Sequence, residues 1–251
     1  MQFEIDSLTA DDSTVHFVST STVNWVILQS SEGVTLIDGG YPGHASAVLE
    51  ALDQIGSAPE EIRGALLTHA HVDHLGGLRK LRADYDFPVY ADPEEVAHVH
   101  RDYLEQADVG KIAPILWRPS VLGWLAQIIP LGALDKAGID DAQPFGDLSA
   151  LPGRPVAVPS HGHTRGHSAF LVGDGELLIS GDALVTAHSI QPHDGPQCLS
   201  HIFTHDLAAN EASVETFADL DAEVILPGHG PLYRGPMRAA VDQALGRSAA
   251  R

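Results

Sequence analysis

GALLTHAHVDHLGG, residues 64–77, carries the strongest signal in the chain. Its first part, through Leu67, has the length and composition of a short buried strand. That strand runs straight into His69-Ala-His71-Val-Asp73-His74, which is dense in metal-binding side chains. Zinc accepts imidazole nitrogen and carboxylate oxygen, and catalytic zinc sites keep a coordination position open for water. A loop of alternating residues sends His69 and His71 to one metal while Asp73 and His74 turn toward a second. A helix is expected to begin near Leu75.

Upstream, TVHFVST (14–20), VNWVILQ (23–29) and VTLID (34–38) read as hairpin-linked strands rich in β-branched residues. Helical spacing starts after Gly43, with Ala47, Val48, Leu49, Ala51, Leu52 and Ile55 on one side, and stops at Gly56. Downstream, FPVYA (87–91) completes the unit. Residues 94–150 break the alternation and read as an insertion with helices at about 94–109 and 112–128. Strands resume at PVAVP (155–159), AFLVG (169–173) and ELLIS (176–180), followed by a helix at about 207–219. A strand at EVILP (223–227) and a helix at about 236–246 close the chain. The two halves echo one another, each with strands, a histidine cluster and an acid just after a strand. No linker or low-complexity segment interrupts them, so residues 1–251 are read as a single domain with its site at the seam.

Three later residues extend the metal-binding set. His163 stands in SHGHTRGHS, Asp182 in LLISGDA and His229 in VILPGHGP, each in a loop after a strand, where sheet proteins collect their chemistry. Taken in order, LIDGG, THAHVDHLGG, HTRGHS, SGDA and PGHG resemble the five motifs of the metallo-β-lactamase superfamily over about residues 33–231. The resemblance implies a four-layer αβ/βα sandwich of two mixed β-sheets with helices outside. It implies that His69, His71 and His163 hold one metal, that Asp73, His74 and His229 hold the other, and that Asp182 bridges them. Asp38 and His167 match positions that brace the ligand loops without binding metal. His161, His188, His193 and His205 lie near the same loops and are assigned ordinary polar or substrate-side roles.

Composition narrows the function. Hydrophobic residues make up 44% and charged residues 19%, as in an ordinary globular chain, but the formal net charge is −20. Such a surface is unsuited to nucleic acid or anionic membrane, because a polyphosphate partner needs a basic face. The single cysteine, Cys198, excludes an internal disulfide framework and a cysteine-rich zinc finger. The N-terminal MQFEIDSLTADD is acidic where a signal peptide would be basic, so a cytoplasmic location is expected.

Two zinc ions per chain are the expected cofactors, with iron or manganese as competing occupants. Hydroxide made at that centre would cleave an ester, thioester or lactone, with Asp73 or Asp182 shuttling the proton to the leaving group. GHSAF (166–170) lacks the second glycine of a nucleophile elbow, so Ser168 is read as structural. Lactonases of the family often carry a tyrosine three residues after the bridging aspartate, where this chain has Val185. The competing readings are a mononuclear-iron oxidoreductase resembling persulfide dioxygenases, and a non-catalytic metal-binding protein. KIAPILWRPSVLGWLAQIIPLGAL, from Lys111 to Leu134, is interrupted by Pro114, Pro119 and Pro130 and so does not read as a membrane span. It is expected to form either a lid, with Trp117 and Trp124 over an apolar part of a small-molecule substrate, or a contact in a homodimer.

Overall fold

The computed structural model describes residues 2–107 and 109–249. Its first sheet opens with an antiparallel meander, β1 (Glu4–Ala10), β2 (Ser13–Ser19), β3 (Asn24–Ser30) and β4 (Gly33–Ile37). Helix α1 (Ala45–Gln54) carries the chain over to β5 (Ile62–Leu66), parallel to β4, and α2 (Val72–Leu81) carries it on to β6 (Val89–Ala91), parallel to β5. Residues 94–150 then supply three short helices, α3 (Val96–Val99), α4 (Val109–Ile112) and α5 (Pro119–Ile128), before β7 (Gln143–Pro144) joins the sheet edge. The second sheet comprises β8 (Val156–Pro159), β9 (Ser168–Val172), β10 (Leu177–Gly181), β11 (Val224–Pro227) and β12 (Tyr233–Arg234). Helix α6 (Leu207–Phe217) connects the parallel pair β10 and β11, and α7 (Met237–Ala249) ends the described chain.

Period-2 alternation builds the four layers. In β3, Trp25 and Ile27 pack toward α1 and α2, while Val26 and Leu28 face the second sheet. In β10, Leu177 and Ile179 face the first sheet, and Leu178 packs toward α6 and α7. The central strands are thus buried on both faces, which is why they read as apolar runs. The expected sandwich is the observed one.

Several local expectations need correction. β1 is not among the strands expected, because EIDSLTA exposes most of its residues on a sheet edge and shows no apolar run. α2 starts at Val72, three residues earlier than expected, so Asp73 and His74 lie in its first turn and not in a loop. The helix expected at 94–109 shrinks to Val96–Val99, since Arg101 adopts φ +69 and turns the chain away. The helix expected at 112–128 begins at Pro119, because proline forces the residue before it, Arg118, into extended geometry.

Glycines set the approach of α2 to the turn after β4. Gly39 N donates to His74 O at 2.8 Å and Gly77 N to Gly40 O at 2.8 Å, so backbone lies on backbone. A Cβ on Gly77 would overlap the carbonyl oxygen of Gly39. Gly77→Ala is therefore expected to cost about 2–3 kcal/mol of unfolding free energy. Urea titration in the presence of chelator measures this cost apart from any bound metal, and an unchanged midpoint would refute the packing argument.

Candidate metal centre

The loops that follow five strands converge at one end of the sandwich. Asp38 follows β4, His69 and His71 follow β5, His163 follows β8, Asp182 follows β10 and His229 follows β11. Asp73 and His74 arrive on the first turn of α2, whose N-terminal dipole favours a carboxylate. All seven expected ligands come together in two groups: His69, His71, His163 and Asp182, then Asp73, His74 and His229, with one donor atom from each residue of a group within 4.8 Å of the others. Asp182 lies between the groups. Its Oδ2 is 3.9 Å from His69 Nε2, 3.6 Å from His163 Nε2 and 3.3 Å from His229 Nε2, and its Oδ1 is 3.6 Å from His74 Nε2. Asp73 Oδ2 lies 3.4 Å from His229 Nε2.

The outward-facing ring nitrogens explain why the inward ones are available. His74 Nδ1 donates to Asp38 Oδ2 at 2.8 Å, His229 Nδ1 to Thr22 O at 2.7 Å, and His71 Nε2 to Glu105 O at 2.5 Å. His69 Nδ1 donates to Thr68 Oγ1 at 3.0 Å, and that hydroxyl donates in turn to Asp38 Oδ2 at 2.7 Å. A proton fixed on the outer nitrogen aims the inner lone pair at the centre. His69 Nε2, His74 Nε2 and Asp182 Oδ1 are buried there without a hydrogen-bond partner. Buried polar atoms are rarely left so, and a cation in each ligand group would satisfy all three. The residues fit a pair of divalent ions.

Electrostatics points the same way. Burial first, then the neighbouring imidazoles, hold His69 and His163 well below the usual histidine range, and burial takes His71 down to about 4. All three are therefore neutral, and the inward nitrogens His163 Nε2 and His71 Nδ1 meet at 3.2 Å. Burial also opposes charge on His74 and His229, but the carboxylates outweigh it. Asp38, Asp182 and Asp73 hold His74 well above its usual value, and Asp182 and Asp73 lift His229 to about 10. The carboxylates thus call for positive charge, supplied by protons until a metal displaces them.

Asp38, at φ +61, also accepts from Thr68 N at 2.9 Å, so it braces two histidines and the loop between β5 and α2. His167 holds the Asp182 backbone, accepting from its N–H at 3.0 Å while its other ring nitrogen meets Ser160 Oγ at 2.8 Å. Asn24 ties sheet to loop: its Nδ2 donates to Pro227 O at 3.0 Å and to Gly230 O at 2.8 Å, fixing the turn that carries His229. Sequence reading missed Thr22, Asn24, Glu95 and Glu105. Thr22 and Glu105 bind ligands through backbone carbonyls, which no residue pattern encodes.

A cavity of about 770 Å³ opens over the centre, with His71, Asp73, Asp182 and His229 in its floor. Tyr41 lines the same floor, and burial, then the charges of Asp73 and Asp182, hold its hydroxyl protonated far beyond neutral pH. The walls are apolar and include Trp124, Leu125, Ile128, Ile129, Leu199 and Phe203. Trp124 packs 5.7 Å from Phe203 and 5.9 Å from His188, whose ring lies 5.1 Å from that of His229. Trp117 does not reach this space. It stands ahead of the turn into Pro119, 76% exposed, with the Arg118 guanidinium 5.5 Å from its ring centre. Val185 is fully buried, pairs its backbone with Gln197 and does not line the cavity. Outside the two groups, His161 lies 3.5 Å from Asp92 and His205 lies 3.5 Å from Glu105.

Residues 19–229 match the family model of the metallo-β-lactamase superfamily, and the chain belongs to that family. It is 27% identical over 237 residues to the probable metallo-hydrolase YflN of Bacillus subtilis, covering 86% of this chain and 83% of that one. A shorter stretch of 81 residues is 40% identical to a hydroxyacylglutathione hydrolase of Pectobacterium atrosepticum, covering 32% of this chain and 30% of the relative. Among solved structures, TTHA1623 in a di-iron-bound form superposes with a TM-score of 0.60 at 24% identity, covering 88% of this chain and 94% of that one. Among the described residues, no helix is long and apolar enough to cross a membrane.

Purified protein is expected to hold about two divalent ions per chain, read by elemental analysis. His69→Ala and His229→Ala should each lose a different one. Uptake should release protons at neutral pH, because His74 and His229 must give theirs up, and affinity should fall as pH falls. Titration in weakly buffered solution reads both effects, and metal uptake without proton release would contradict the charge balance described.

Proposed function

We propose that the chain is a dinuclear zinc hydrolase for an ester, thioester or lactone that carries an apolar acyl portion. The observation that carries this reading is the cavity: a floor of metal-binding groups beneath walls that are mostly apolar, with Gln106, Asp135, Lys136 and His188 as their polar members. Two zinc ions held by the two ligand groups would supply hydroxide at neutral pH and a Lewis acid for a carbonyl. The chain's own residues supply the rest. Asp73, reaching the cavity floor from α2, would accept the proton lost by the nucleophile and pass it to the leaving group. Asp182, buried between the groups, would hold the two positive charges at close range. Tyr41, a neutral donor on the same floor, would hydrogen-bond the oxygen on which negative charge develops. Trp124, Leu125 and Ile128 would seat the acyl chain and exclude water.

The hydroxyacylglutathione hydrolase likeness supports the thioester member of this set, and the facing second ligand group supports two ions over a single oxidative iron. A single iron per chain, with consumption of molecular oxygen, would sink the hydrolase reading. Asp182→Asn removes the charge between the groups and should cut kcat at least about 100-fold, the scale seen when a key electrostatic group is lost.

Each methylene entering the cavity is worth about 0.8 kcal/mol, or roughly fourfold in kcat/KM. Four added carbons should raise kcat/KM by about two orders of magnitude in a series of p-nitrophenyl or thiol esters. Trp124→Ala should flatten that slope with metal content unchanged, whereas Trp117→Ala should leave it alone. Equal turnover of short and long acyl chains, or an equal effect of the two tryptophans, would remove the cavity from the substrate's path.

A further inference from the structure

Asp38, in the loop after β4, braces His74 and, through Thr68, His69. A second buried carboxylate stands behind the other side of the centre, and it comes from the 94–150 segment. Glu95, at the start of α3, is fully buried. Its Oε1 accepts from Ala70 N and from His98 Nδ1, each at 2.8 Å. Its Oε2 accepts from Thr164 Oγ1 at 2.8 Å and from Gly166 N at 3.0 Å. Ala70 stands between His69 and His71, and Thr164 follows His163. One side chain therefore pins the loops of all three histidines in one ligand group.

The connection continues to a ring. With its proton on Nδ1 facing Glu95, His98 accepts from Glu105 N at 3.1 Å on Nε2. The carbonyl of that same Glu105 receives His71 Nε2 at 2.5 Å. Close packing reinforces the arrangement, since a Cβ on Gly166 would overlap the backbone nitrogen of Glu95. The glycine of HTRGHS thus lets the His163 loop dock on α3. None of Asp73, His74 and His229 hydrogen-bonds to Glu95.

We infer that Glu95 is the positioning residue for the three-histidine metal, and that the 94–150 segment builds half of the metal centre as well as the cavity wall. This rests on the two-metal reading above. An ionised carboxylate is costly to bury, and four donors converging on it offset that cost. Glutamine is a poor replacement: whichever way the amide turns, its NH2 faces a backbone N–H that can only donate, that of Ala70 or that of Gly166. Glu95→Gln is therefore isosteric but mismatched, which separates positioning from packing.

The test is zinc competition against a chromophoric chelator, with circular dichroism to confirm folding. Wild type should hold two ions tightly. Glu95→Gln should keep one and bind the other about 10–100-fold more weakly, the range for loss of a group that orients a ligand. In a His229→Ala background, where only the three-histidine ion remains, the same substitution should weaken that ion by the same factor. Thr164→Val, which removes one of the four donors, should weaken it by a smaller factor. Unchanged affinities in folded Glu95→Gln, even with a lowered melting temperature, would overturn the proposal, as would equal weakening of both ions. Should Glu95→Gln fail to fold, unchanged zinc affinity in Thr164→Val overturns it instead. A wild-type protein that binds no zinc brings down the two-metal reading itself, and the positioning role with it.

Discussion

The dominant constraint is a group of buried carboxylates and imidazole lone pairs aimed at the same small volume. Asp182 and its surrounding histidines are almost completely shielded from water, and several of their inward atoms have no protein partner. Such an arrangement is stable only with positive charge among the carboxylates. The pull is uneven. His69, His71 and His163 are kept neutral by burial, whereas His74 and His229 are driven toward protonation by Asp38, Asp73 and Asp182. One half of the centre offers lone pairs outright, and the other exchanges protons for metal.

That requirement is met by rigidity outside the centre. Ligands sit at strand ends, and all of these strands but the edge strand β8 are locked by apolar packing on both faces. Asn24 binds the PGHG turn to the first sheet, so His229 of the second half is held by a strand of the first. Gly228 contributes by what it lacks, since a Cβ there would overlap Asp182 Oδ1. The motif glycines are close-approach points at which backbone must come within van der Waals contact of a ligand or its brace.

The parts of this design legible in the sequence are those encoded by residue type. Apolar runs marked the core strands, and histidine and aspartate after them marked the centre. What escaped is encoded by position in space. β1 is an edge strand whose pairing with β2, not its own composition, makes it a strand. Thr22 and Glu105 act through carbonyls. Glu95 sits in PEEVAHVH, where it reads as the solvated acid of a helix, because three of its four donors come from residues 70, 164 and 166. Trp117 and Trp124 look equivalent on the page, but Pro119 starts α5 between them. Trp124 then falls on the face shared with Val121 and Ile128, while Trp117 is left in the turn.

The 94–150 segment joins two tasks that the sequence keeps apart. Glu95 and Glu105 reach back to the ligand loops, while Leu104, Gln106 and Ala107, on either side of Glu105, line the cavity. The Glu105 carboxylate is itself held, with Arg165 Nε at 2.6 Å and Arg165 N donating at 2.9 Å from the loop that bears His163. A wall attached this way cannot swing freely, because displacing Leu104–Ala107 pulls on the carbonyl that orients His71. By contrast, α5 meets the floor through side-chain packing of Val121, Trp124 and Ile128 on Tyr41 and Val72. Packing of this kind slides at lower cost than a buried charged network breaks. The segment thus divides into a half tied by hydrogen bonds to the ligand loops and an apolar half that walls the cavity.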